Sequence, residues 1–268
     1  MQLSFLLKKI NPKIIFFPYE GNAWERLAIK AAKTYNPKIK CIGYQKSVIT
    51  KHSDLMKTNL NDNLFNPDKI ICRSKIDSNK LLDRGTLSKH QIIIGGKNNK
   101  LKIKSKKFDK INVLVLPEAW LSEEKNLFHF TKLCAQQYPR INFTFRPHPS
   151  SIFDVISLDT DNLVNLKIST NSFSNDVKKN NIIFFRGSYS VIKACRNGLF
   201  PVYIEYKNDF NADINPLYEI EKNIFKISNN HQFKKIVDYV VKPKSNKRKL
   251  LIIKHCNKIN ANLDRNYI

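Results

Sequence analysis

Acidic side chains are scarce in this 268-residue chain, where 22 Asp and Glu stand against 47 Lys and Arg for a formal net charge of +25. Such an excess favours polyanionic partners (nucleic acid, anionic lipid or an acidic polymer) without identifying their chemistry. Glycine is also rare, at 7 residues, while Asn and Lys recur throughout, so the charge reads equally as a bias spread over the surface. The five cysteines, Cys41, Cys72, Cys134, Cys195 and Cys256, are far apart and form no C-x-x-C pair. That spacing argues against a disulfide framework or a zinc cluster and fits a reducing cytoplasm. No apolar stretch approaches the ~18 residues of a membrane span. The run Leu3 to Leu7 is too short for a signal-peptide core, and Lys8 and Lys9 follow it instead of preceding it. The expected location is therefore cytoplasmic, soluble or peripheral on the inner face of the membrane. RRM, zinc-finger and helix-turn-helix signatures are missing and the basic residues are dispersed, so no specific nucleic acid is expected. No solenoid-period repeat is visible.

What is present is an α/β rhythm, in a chain whose 42% hydrophobic content suffices for one large or two modest domains. Lys13–Glu20 reads as a buried strand, and 22–35 as a helix with apolar positions at Trp24, Leu27, Ala28, Ala31 and Ala32. Asn22 with Glu25 three residues on forms a capping-box pattern at its start. Strands are expected at 38–47, 68–72 and 91–94, with a helix at 74–84. The Lys- and Asn-rich stretch 97–110 reads as a linker, after which the rhythm restarts. Strands are then expected at 111–120, 141–149, 163–168, 181–185 and 201–205, and helices at 123–137, near 174–179 and from Ser190 to the Asn197–Gly198 stop. Helices are expected again at 232–241 and 250–258, separated by the basic run KPKSNKRK, 242–249.

Two strand ends carry chemistry. In INFTFRPHP, 141–149, Ile141, Phe143 and Phe145 alternate on one face, and the strand ends in Arg146, Pro147, His148 and Pro149. Ligands of open α/β sheets collect beyond the carboxyl ends of the strands, so Arg146 and His148 stand where an anion would be met. The plain alternative is a rigid turn with a solvated histidine. In RGSYS, 186–190, a strand turns through Gly187 into a helix, offering backbone N–H groups and the hydroxyls of Ser188 and Ser190 to a phosphate. Here the alternative is an ordinary serine cap.

RPHP followed by a strand, G-S-x-S, a helix and G-L-F-P-V-Y-I resembles the second domain of GT-B glycosyltransferases. More narrowly, it is similar to the surface-carbohydrate group of CDP-glycerol glycerophosphotransferases, Kdo transferases and polysialyltransferases, which serve capsule and lipopolysaccharide. PYEGNAWE and IGYQKS also resemble segments of surface-carbohydrate proteins, with Lys46 where a recurring form has His. The resemblance covers roughly residues 12–204. It implies an α/β fold of two Rossmann-like domains, GT-B-like, with the N-terminal one abridged. Only 96 residues precede the linker, short of the ~150 of an ordinary domain. The expected division is 1–96 for the acceptor side, 97–110 as linker, 111–241 for the nucleotide donor and 242–268 as a basic tail.

The implied activity is metal-independent transfer from a CMP- or CDP-linked donor to a glycan or lipid-linked acceptor, with no cofactor. Arg146, His148, Gly187, Ser188 and Ser190 would hold the donor phosphate, which gains charge as the bond breaks. Ser169, Asn171, Ser172 and Glu205 could touch base or ribose, or serve as turn and cap residues. Glu20 could remove the acceptor proton, or simply favour the helix that follows it. The D-x-D at Asp159, Thr160 and Asp161 reads as solvated loop and not as a metal site. Two other readings stand beside this one: a non-catalytic, degenerate GT-B-like subunit, and a basic nucleic-acid-binding protein. The run 242–249 with Leu250–Ile253 pairs charge with apolar residues and could attach to anionic lipid.

Overall fold

A computed structural model of the chain describes residues 2–45, 47–51, 63–83, 87–97, 110–151, 160, 162–206, 214–259 and 262–263. Its elements run α1 (Gln2–Ile10), β1 (Ile14–Pro18), α2 (Ala23–Tyr35), β2 (Lys40–Tyr44), β3 (Lys69–Cys72), α3 (Lys75–Asp83), β4 (Ile92–Ile94) and β5 (Gly96–Lys97). They continue β6 (Asn112–Leu116), α4 (Leu121–Gln137), β7 (Asn142–Phe145), β8 (Leu166–Ile168), α5 (Phe173–Lys179), β9 (Ile182–Phe185), α6 (Ser190–Arg196) and β10 (Phe200–Ile204). The last are β11 (Phe225–Ile227), α7 (Phe233–Val240), α8 (Ser245–Ile259) and β12 (Asn262–Leu263). Two compact units result: Met1–Ile49, Ser53–Asn99 and Lys258–Ile268 form one, Thr50–His52 and Lys100–Asn257 the other.

The first unit holds a parallel sheet in the order β1-β2-β3-β4. Strands laid down in sequence order by right-handed crossovers place their helices on one face. Leu7 of α1, Ile29 and Ala32 of α2 and Leu81 of α3 accordingly share one core with Cys41, Ile70 and Cys72, while Ile14 and Phe16 on the other face remain exposed. The capping box at Asn22 and Glu25 forms as expected: Asn22 N donates to Glu25 Oε2 at 2.8 Å. The expected apolar face of α2 forms only in part: Ala32 is buried as expected, but Trp24 and Leu27 are 59% and 61% exposed and Glu25 and Ile29 turn inward, because drawing the Glu25 carboxylate back over the helix start fixes the rotation.

The second unit is a six-stranded parallel sheet ordered β11-β10-β9-β6-β7-β8. The chain moves outward from β6 to β8, returns past β6 to β9 and continues to β11, which is the doubly wound Rossmann order with its switch point between β6 and β9. Phe143, Phe145 and Phe184 line one face beneath Phe128 and Phe130 of α4 and Phe233 of α7, with ring centroids 4.9 to 6.2 Å apart. This aromatic layer fills the core on that face of the sheet.

The C-terminal stretch differs from expectation. The run 242–249 does not separate two helices, since α8 begins at Ser245. Its Arg248 lies 4.2 Å from the centre of the Phe225 ring and donates to the carbonyls of Asn223 and Ile224 at 2.8 and 3.0 Å. Ile252 and Ile253 are buried, so half of the apolar run expected to meet lipid packs inward. Residues 262–263 pair antiparallel with Gly96–Lys97, where the linker was expected to begin. Residues 98–109 of that linker lie outside the described residues, as do Lys46, Arg84, Asp159 and Asp161. No helix among the described residues is long and apolar enough to cross a membrane.

Candidate functional site

β6, β7 and β9 end side by side, and each end leads into groups able to bind or react. Alternation along β7 sends Phe145 to the α4 face and Arg146 to the opposite one. There Arg146 Nη1 donates to Asp176 Oδ2 of α5 at 2.8 Å and to the Asn171 carbonyl at 2.6 Å. Arg146 was expected to receive a phosphate; its charge is instead compensated by a buried carboxylate, and it braces the loop between β8 and α5.

The following turn presents His148. Ser150 N donates to His148 Nδ1 at 3.1 Å, which assigns the imidazole proton of the neutral ring to Nε2. Nε2 has no hydrogen-bond partner among the described residues, so the ring offers one donor outward. The turn is held from below by Glu124 of α4, a fully buried carboxylate that accepts from His148 N at 3.3 Å and from Ser151 Oγ. Replacing Glu124 with Ala would leave both groups unsatisfied, at about 1–3 kcal/mol. Urea unfolding of Glu124→Ala should show that loss.

Its neighbour Glu123 serves the other motif. Glu123 Oε2 lies 3.0 Å from Arg186 Nε, with both side chains almost fully buried. Arg186 Nη1 also donates to the Ile204 carbonyl at 3.1 Å, and its guanidinium lies 4.3 Å from the centre of the Tyr206 ring. The first turn of α4 thus ties both strand ends to one helix, and its macrodipole favours carboxylates at that end.

Past Arg186, Gly187 has no room for a side chain: a Cβ there would lie 2.5 Å from Glu118 Oε1 and 2.9 Å from Ile214 Cδ1. Ser188 is buried, Ser190 half-buried and Tyr189 exposed. α6 has only seven residues, which limits any dipole it offers. Glu118 follows β6 and lines a pocket of about 190 Å³ with Thr50, Trp120, Gly187, Tyr189 and Ile214. Burial pushes its carboxyl above the usual range, and no donor or cation pairs with it among the described residues.

The expected base and ribose contacts separate. Ser169 and Asn171 line a polar cavity of about 460 Å³ together with Asn112, Thr144, Asp176 and Asn180. Ser169 Oγ also donates to Asp176 Oδ2 at 2.6 Å. Ser172 caps α5, accepting from Asn175 N at 3.3 Å. Glu205 is exposed, 3.8 Å from Lys226 Nζ, and lines neither cavity. In the first unit, Glu20 Oε1 accepts from Ser47 N at 2.8 Å. All five thiols are buried and free, and burial pushes that of Cys72 up to about 12, so thiolate chemistry is not on offer. Sequence reasoning did not assign roles to Glu118, Glu123 and Glu124. Their signal was three glutamates within seven residues of a basic chain.

No family model and no curated protein matches the sequence. Solved structures do match the fold. The glycotransferase of kitacinnamycin superposes with a TM-score of 0.62 at 11% identity, covering 96% of this chain and 74% of that one. MnaA of S. aureus, solved with UDP, gives 0.59 at 12% identity over 97% and 75%. The calicheamicin glycosyltransferase CalG4 gives 0.59 at 10% identity over 94% and 73%. Sheet order and superposition agree: the chain has an α/β fold with two Rossmann-like sheets, of GT-B-like architecture.

Proposed function

We propose that this protein is a glycosyltransferase, or a related polyol-phosphate transferase, that takes a CMP- or CDP-activated unit to a glycan or lipid-linked acceptor in surface-polysaccharide synthesis. The observation that carries the proposal is the arrangement at the switch point: His148 and the Gly187–Ser190 turn flank the end of β6 and are anchored by adjacent glutamates of α4. Rossmann sheets bind nucleotides at this place. Residues 111–241 would hold the donor and 1–96 the acceptor. Neighbouring strands lie about 4.8 Å apart, so the ends of β7 and β9 are about 10 Å apart. One phosphate joins them when His148 and the serines lean over β6. Ser169 and Asn171, in the larger polar cavity, would take base or ribose.

Because nucleophile activation needs a base, Glu20 is the first candidate on the acceptor side. Incubation with labelled CMP- and CDP-sugars and CDP-glycerol, beside UDP-sugars, tests the assignment. Donor consumption that survives chelator and fails in Glu20→Gln, with donor binding retained, is the expected result. Nucleotide binding without consumption would favour the second reading, a non-catalytic subunit. Consumption lost to chelator and restored by Mg or Mn would contradict the metal-independent mechanism.

A further inference from the structure

We propose that the pocket between the ends of β6 and β9 seats the glycosyl ring of the donor, with Glu118 binding ring hydroxyls against the aromatic walls Trp120 and Tyr189. The inference deepens the donor assignment above and rests on it. Three observations lead here. The pocket lies at the switch point, where Glu118 and Trp120 follow β6 and Gly187 and Tyr189 follow β9. Its chemistry is one carboxyl and two aromatic side chains, both substantially exposed, and among the described residues no other charged group lines it. The carboxyl has no hydrogen-bond partner among the described residues, in a chain with 47 basic side chains.

A hexose has a complementary shape, with hydroxyls around its edge and C–H groups on its faces. An aromatic wall covers the C–H face, and a carboxyl engages the hydroxyls, accepting in either protonation state and donating when protonated. A phosphate fits this pocket poorly, since an ionised Glu118 would repel it and no cation lines the wall among the described residues. Burial favours the neutral carboxyl, and a phosphate held nearby by His148 would favour it further, which lets sugar and phosphate occupy adjoining positions. Gly187 belongs to the same design, because any side chain there would collide with the Glu118 carboxyl.

Trp24 and Trp120 are the only tryptophans, so Trp24→Phe leaves Trp120 as the sole indole reporter. In that background, fluorescence titration would compare CMP and UDP with CMP-N-acetylneuraminate, CDP-glycerol and UDP-N-acetylglucosamine. The expected result is that one glycosyl donor binds at least tenfold more tightly than its free nucleotide and shifts Trp120 emission. Glu118→Gln should remove about tenfold of that increment without weakening binding of the free nucleotide, since it takes away a carboxylate that repels phosphate. A folding control accompanies it: a carboxyl raised by burial costs stability at neutral pH. Glu118→Gln should therefore melt higher than wild type at pH 7, with the gain shrinking as pH falls through the ordinary carboxylate range. Nucleotide binding with no glycosyl increment, or an increment untouched by Glu118→Gln, overturns the sugar pocket and leaves the nucleotide site standing. Binding of no nucleotide at all overturns the donor assignment and this inference with it.

Discussion

Replacing Arg186 with Met should destabilise the protein by about 3–5 kcal/mol, the usual cost of removing one partner of a buried ion pair. Arg186 and Glu123 are 6% and 7% exposed, so Glu123 would be left with an uncompensated charge at the base of the second unit. The Ile204 carbonyl would lose its guanidinium donor and the Tyr206 ring its cation. Domains of ordinary stability have only 5–15 kcal/mol in total, so this one change would bring the chain close to unfolding. Urea denaturation of Arg186→Met measures the loss directly. The double change Arg186→Met with Glu123→Leu should recover much of it, since an apolar pair of similar volume removes the stranded charge. A loss under 1 kcal/mol in the single variant would mean the pair is solvated, and α4 would then not anchor the end of β9.

Arg186 also shows where sequence reading reached its limit. The strand before it was legible because Ile182 to Phe185 is continuous apolar sequence, and the turn was legible from Gly187. That Arg186 would find Glu123, 63 positions earlier, follows only once β9 is seen to lie beside β6, because strand order is not written in local periodicity. Arg146 illustrates the same limit from the other side. Its position at a strand end suggested an anion receptor, yet alternation put it on the α5 face, where Asp176 already waited. Arg248 was read as part of a basic run that could meet anionic lipid and instead lies over Phe225. In a chain this basic, charge alone does not distinguish a lysine in water from an arginine engaged in the fold. The helix starts were easier, since a capping box is complete within four residues. Even there the buried face of α2 was misread in part: Ala32 is buried as expected, but Trp24 and Leu27 fit the helical period as well as Ile29, and it is Ile29 that turns inward.

His148 bears the functional claim, and its geometry defines a narrow expectation. With Nδ1 accepting from Ser150 N, the ring donates from Nε2, and a hydrogen bond to a charged phosphate contributes about 1.5–3 kcal/mol. His148→Ala should therefore weaken nucleotide binding about ten- to a hundredfold. Ser188→Ala should weaken it less, because Ser188 is buried and backbone N–H groups of the turn remain. Neither variant should unfold the protein, since the turn is held by Glu124 through the backbone of His148 and the hydroxyl of Ser151, which both variants retain. The most direct measurement is calorimetric titration of wild type and His148→Ala with CMP and CDP, with UMP and UDP alongside. The account predicts that wild type binds a cytidine nucleotide and that His148→Ala binds it ten- to a hundredfold more weakly while melting at the same temperature. Equal affinity in the two proteins would reduce RPHP to a rigid turn and contradict the assignment of this sheet edge to a donor phosphate.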